Sequence, residues 1–337
     1  MSIDLSPLAN ANRLLFSIAL KPLQGSRFQP TGFPGLGAAA FQTPGGQSLL
    51  VESAQSMANR LELTVWDEAK QDLKAELAGL SHVRVERHGA FLTDTILEAH
   101  RLNSPYLLEG KDDSFIKMLK VELGTLEVGP IDRRKLADTL LKYDVSSLLH
   151  GLFLAKKELS GGRLRIARAM SAFIEADNVR VAASGGVKND HVNPSGDTKA
   201  GFGNVPFARD EYTAEKITLY VSLDLGQIRG YGLSKEAEQL LILLALYKLR
   251  VLVGGSLRLR TACDFTVATD EIKASTPSGF ILPNLSALLA DLKPAIAACA
   301  TMKVQVVTYN DELKKGKEAK SGVEEVIDTE SATPESE

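Results

Sequence analysis

The chain has 337 residues, 44% of them apolar, enough to bury one large core or two small ones. Charge is nearly balanced, 39 Lys+Arg against 42 Asp+Glu, but residues 311–337 carry nine acids and four lysines, so the tail is −5 and the body +2; a mildly basic body admits nucleic acid without requiring it. Two cysteines without CxxC spacing give no disulfide framework or zinc site, the N-terminus lacks a signal-peptide pattern, and the most apolar run, 240–247, is far short of the roughly 20 residues that cross a bilayer, so the reading is a cytoplasmic protein with no membrane contact.

Residues 13–20 alternate, with Leu14, Phe16, Ile18 and Leu20 on one face, and predict a strand. Glycine and proline then break the stretch 27–46, which reads as a loop. Ser48 is placed as the N-cap of a helix over 49–63, with Leu50, Ala54, Met57, Ala58 and Leu61 on its apolar side and Glu52, Gln55, Ser56, Asn59 and Arg60 opposite. Residues 83–87 alternate as a strand, and 94–102 fit a helix. Asp132 caps a helix through 143, and 144–154 read as a strand. A turn at Gly161-Gly162 leads into a strand over 163–168 that carries arginines at alternate positions. The segment 184–204 holds five glycines and almost no apolar residue between two strand-like stretches, which predicts a projecting hairpin or flexible loop. Ser234 caps a long, mostly buried helix to about 252, stopped at Gly254-Gly255, and 257–261 form a strand. A last helix over 284–300 is interrupted at Pro294, and the composition beyond 311 predicts disorder. This order is compatible with an α+β, ferredoxin-like βαββαβ core carrying insertions.

Catalytic constellations are missing from the sequence. There is no GxSxG, HExxH, Walker A or EF-hand pattern, the glycines of 32–37 lack phosphate-binding spacing, and His82, His88, His100, His150 and His191 are scattered. A hydrolase would rest on Asp190, Asp197 or His191 in the glycine-rich segment, and one acid without a partner is poor equipment for acid–base work. Signals for RNA are better. Arg163 and Arg165 share a strand face with Arg168 nearby, Arg258 and Arg260 share another, and Asn59 and Arg60 end the polar face of the first helix. Guanidinium groups so placed can pair with phosphates, and the Gly254-Gly255-Ser256 turn offers backbone N–H groups. Solvated strand faces and a helix-capping turn explain the same residues equally well.

The runs RFQPTGFPGLGAAAF (27–41), LLVESAQSMANRLE (49–62), GRLRIARAMSAFIEA (162–176), GFGNVPFARDEYTA (201–214), LDLGQIRGYGL (223–233) and GGSLRLRTACDF (254–265) resemble the RAMP-superfamily backbone subunit of type I-G (formerly I-U) CRISPR Cascade complexes over about 10–310. The resemblance implies a modified RNA-recognition-motif palm, an inserted finger or web region over about 63–130, a thumb hairpin over about 183–205, and a member-specific acidic, disordered tail over 311–337. It implies a non-catalytic subunit with no metal or cofactor. Copies would stack head to tail along a guide RNA and present it to target DNA, alongside a large subunit and a guide-end-binding or processing subunit. Within that location, the residues assigned to RNA are Arg27, Gln55, Ser56, Asn59, Arg60, Arg163, Arg165, Arg168, Lys188, Arg258 and Arg260, with Phe28 and Gln29 beside Arg27, and Val187 and Val192 as thumb wedges. The alternative is metal-dependent cleavage of target RNA by a loop aspartate, as in type III relatives.

Overall fold

The computed structural model describes residues 3–33, 37–124, 130–255 and 257–313. Pro34, Gly35 and Leu36, Ser256 of the predicted N–H turn, and all of the 311–337 tail except its first three residues lie outside them.

In chain order the elements that matter here are β1 (Arg13–Pro22), β2 (Ala40–Thr43), β3 (Gly46–Glu52), α1 (Ala54–Leu63), β4 (His82–Arg87), β5 (Ala90–Asp94), α2 (Arg133–Tyr143) and α3 (Val145–His150). They continue with β6 (Leu152–Leu154), β7 (Leu164–Ile166), β8 (Met170–Asp177), β9 (Arg180–Lys188), β10 (Val205–Thr213) and β11 (Lys216–Asp224). The chain then runs through α4 (Lys235–Gly254), β12 (Leu257–Arg260), β13 (Cys263–Val267), α5 (Leu285–Ala298) and β14 (Val304–Thr308). The central sheet has the spatial order β12–β13–β1–β11–β8–β3–β2, with a short strand Ala274–Thr276 also paired to β1, and its pairings are antiparallel. The fold is therefore α+β. A smaller sheet, β14–β4–β5, stands apart from it.

Period-two alternation explains the centre. Leu14, Phe16, Ile18 and Leu20 of β1, Ala172, Ile174 and Ala176 of β8, and Leu219, Val221 and Leu223 of β11 are all buried. Each fully buried Val, Leu, Ile or Phe among them contributes roughly 1.5–3 kcal/mol of transfer free energy. α1 packs on β8, and α4 packs against α1, α3 and α5. Contact on so many sides is why α4 is apolar around most of its circumference, from Ala237 through Leu249. Ser234 caps it, accepting from the Ala237 N–H.

Several expected boundaries move. Ser48 does not cap a helix. It lies in β3, fully buried, with its Oγ donating to Asp177 at 3.0 Å, and α1 starts five residues later on Ser53, which accepts from the Ser56 N–H. Strand pairing on both sides of 46–52 overrides a helical reading of the same apolar residues. Residues 144–154 divide into α3, a turn at Gly151 and β6, because Asp144 ends α2 and Ser147 closes back on its carboxylate. No helix spans 94–102. Asp94 ends β5 and holds the Ile96 N–H. A helix at Ser114–Leu123 was not anticipated. Pro294 sits inside an unbroken α5, where burial of Leu288, Leu292, Ala295 and Ile296 offsets the lost backbone bond.

The polar segment is a hairpin. β9 and β10 pair continuously from Arg180↔Thr213 to Lys188↔Val205. Nine residues at about 3.3 Å each carry its tip roughly 30 Å beyond the ends of β8 and β11.

Candidate nucleic-acid interface

A groove of about 1090 Å³ opens beside the N-terminal end of α1. Its walls come from the turn 99–103, the start of α2, the β6–β7 ribbon with the segment 166–168, and residues 227–231. Arg101, Arg133, Arg165, Arg168, His100, His150, Asn103, Gln227 and Tyr231 are among its lining residues, and among the described residues no aspartate or glutamate lines it.

Local chain geometry builds the ribbon wall. Gly151 has φ +83°, and a Cβ there would meet the Arg168 nitrogen and the Ile166 carbonyl at 3.0 Å, so only glycine lets the two segments approach. Gly162 turns the ribbon at φ +68°, where a Cβ would lie 2.6 Å from the Ala155 carbonyl. Between these turns Leu152 pairs with Ile166, Phe153 with Arg165, and Leu154 with Leu164. The leucines face inward, so Phe153, 54% exposed, and Arg165 are left on the open face.

The other arginines are held. Arg168 donates to the Ala54 carbonyl at 3.3 Å and to Gln55 at 2.8 Å, which ties the groove to the first turn of α1, and Gln55 in turn donates to Asn59 at 3.2 Å. Arg101 binds Glu62 at 2.5–2.7 Å and the Gly151 carbonyl at 3.1 Å. Gln227 donates to Ala167 and to the Tyr231 hydroxyl, which donates to the Leu148 carbonyl. Among the described residues, the guanidinium groups of exposed Arg133 and Arg165 have no hydrogen-bond or ion-pair partner. The groove floor is unusual. The His150 imidazole is 2% exposed and neither ring nitrogen has a partner among the described residues. Burial, then nearby Lys248, Arg101 and Arg168, hold its pKa well below the usual histidine value, so it is neutral. Behind it, burial lowers the fully enclosed Lys248 to about 8 and raises Asp144 to about 6.

The sequence-predicted arginines separate. Arg165, Arg168 and Gln55 meet at the groove, with Asn59 one helical turn on from Gln55. Arg60, Arg260 and Ser56 turn inward instead, onto the buried Glu52 carboxylate, which accepts from all three. Arg60 also reaches the carbonyls of Arg258 and Leu259, and Arg260 those of Gln29 and Val51 at 3.1 Å. They weld α1 to β3, β12 and the 28–29 segment. Arg258 is left exposed, 4.0 Å from Asp264. Arg27 lies at the hairpin base, 3.6 Å from Glu211, and Phe28 is buried against Phe265. Arg163 is exposed and donates to the Ser160 carbonyl at 3.3 Å. Lys188, Val187 and Val192 lie in the distal hairpin, Val192 94% exposed. Arg101, Arg133, Phe153, His150, Gln227 and Tyr231 had not been expected in the site. The basic run at 133–135 was the one visible signal for any of them.

The loop acids serve the loop. Asp190 accepts from the backbone N–H groups of Val192, Asn193 and Gly203 at 2.8–3.0 Å, which lowers its pKa, and Asp197 accepts from that of Lys199. Among the described residues, no three His, Cys, Asp or Glu side chains gather as a metal site would need, and no helix is long and apolar enough to cross a membrane.

Fold and groove together define an α+β protein with an arginine-walled cleft. Residues 14–181, which include most of that cleft, match the model of the family described as CRISPR-associated protein GSU0053. Among the solved structures similar at a distance are two of comparable likeness. One is a chain of a CRISPR RNA-guided surveillance complex (pre-nicking), 13% identical, covering 78% of this chain and 76% of that one, with a TM-score of 0.36. The other is Csc2 of Thermofilum pendens, 10% identical, covering 87% and 79%, with a TM-score of 0.33. No curated protein sequence matches.

Proposed function

We propose that this chain is a non-catalytic, guide-RNA-binding backbone subunit of a type I-G CRISPR surveillance complex. Copies line up head to tail along the spacer and present it for pairing with target DNA. A large subunit and a guide-end-binding or processing subunit complete the cytoplasmic particle. The observation that carries this reading is the groove, lined among the described residues by four arginines and no carboxylate, most of it in the part of the chain that matches a CRISPR-associated family. Arg133 and Arg165, whose guanidinium groups have no acid partner among the described residues, favour phosphate oxygens, and gripping phosphate and sugar leaves the base edges for the target.

Further support comes from the strand order. In β13–β1–β11–β8 the two helices α1 and α4 follow the first and third strands in chain order, which is the arrangement of an RNA-recognition-motif palm. The β9–β10 hairpin is the thumb in this reading. Occupation of Asp190 by three backbone donors favours a scaffold over an aspartate-dependent nuclease.

The test is to purify the full chain with the proteins encoded beside it and size the RNA it retains. A discrete population of guide-length RNA is expected. Protein that carries a small-molecule cofactor and no RNA, or an assembled complex that cuts complementary RNA at regular intervals with magnesium, overturns the proposal.

A further inference from the structure

Phe153 is out of place for a residue with only a structural role. Its two chain neighbours, Leu152 and Leu154, are buried, as is Leu164 across the ribbon, yet Phe153 presents about half of its ring to the groove. A lone exposed apolar side chain needs no explanation. This one sits directly opposite Arg165 in the β6–β7 register, and both line a cleft walled by arginines and, among the described residues, by no acid. Directly opposed side chains on an antiparallel ribbon are near neighbours, with Cβ atoms about 4.5–5.5 Å apart. A flat π-face and a guanidinium side by side on one wall offer the two kinds of contact that one nucleotide needs, one for the base and one for its phosphate. An aliphatic side chain would fill the same surface without offering a ring face.

We propose that Phe153 is a stacking platform for one base of the bound RNA strand, with Arg165 holding the phosphate of the same nucleotide. This rests on the RNA-binding reading above and adds a second kind of contact to it. Every base has a π-face, so the contact is tolerant of sequence and stays compatible with a subunit that must accept any guide. It also orders the strand. A base stacked on the wall fixes where the neighbouring nucleotides turn.

The two contacts separate experimentally because one depends on bases and the other on charge. Fluorescence anisotropy of the full-length protein is measured with a labelled single-stranded RNA and with an abasic oligomer of the same length. Phe153→Ala is expected to weaken RNA binding roughly 10- to 100-fold, leave its salt dependence unchanged and leave the abasic oligomer unaffected. Phe153→Trp is expected to bind RNA at least as tightly as the native chain. Arg165→Glu should weaken both ligands and flatten the salt dependence. If Phe153→Ala binds RNA like the native chain, or weakens both ligands equally, stacking is overturned while an effect of Arg165→Glu keeps the RNA reading intact. If the native chain binds neither ligand, both proposals fall. Selective capture of an acidic peptide with no affinity for RNA would likewise overturn them.

Discussion

At Glu52, one buried carboxylate decides the fate of three neighbours. It draws Ser56, Arg60 and Arg260 inward and removes their polar groups from any external ligand. A sequence displays the arginines but not the acid beneath them, which is why the alternation of Arg258 and Arg260 looked like a phosphate-gripping face. The same limit hid the enclosed cluster behind the groove. Lys248 is fully buried, with its Nζ 3.5 Å from the Leu61 carbonyl, and burial lowers its pKa to about 8 from an ordinary 10.5. A depressed pKa means that the unfolded chain binds the extra proton between about 8 and 10.5, so this group's contribution is favourable above that window and is lost as pH falls through 8. Urea unfolding of the native chain and Lys248→Met at several pH values checks this. The native chain should gain on the variant as pH rises from 8 toward 10.5. Parallel pH profiles would refute it.

Among the elements, those with one dominant signal were legible in the sequence. β1 alternates cleanly and is a strand, and α2 and α4 begin on Asp132 and Ser234, whose side chains accept the expected N–H groups. The misreadings fall where long-range pairing or a single tight turn decides. β3 is a strand because β2 and β8 flank it, and the 145–154 stretch changes from helix to strand at Gly151 because only a residue without a Cβ fits against 166–168. For the site, Arg165, Arg168 and Gln55 were readable, whereas the groove they enter is assembled from four segments far apart in the chain, which no local pattern reveals. The β9–β10 hairpin packs little of itself into the core beyond its base, where Tyr212 bridges to Phe28. Replacing residues 183–210 with Asn-Gly, which joins the paired residues Ala182 and Glu211, should therefore leave thermal unfolding within a few degrees of the native chain while abolishing ordered multimers on long RNA in sedimentation. Multimers that persist would remove the hairpin from the assembly.

Across the whole molecule, the packing of α1 on β8 and the α1–Arg168 contacts place the groove beside the first turn of α1. The β9–β10 hairpin leaves the ends of β8 and β11. The sheet thus serves as a rigid frame for a cationic cleft and a long projection, a suitable shape for repeated copies on a polyanion. The central claim is that the cleft holds phosphate without regard to sequence. Its most direct test is a salt series of binding curves for the native chain and an Arg133→Glu/Arg165→Glu double variant, each with two RNAs of equal length and unrelated sequence. An equal loss of affinity for both RNAs is expected, with a log–log salt slope shallower by about one for each arginine removed. A loss confined to one RNA, or curves that superimpose on those of the native chain, would contradict it.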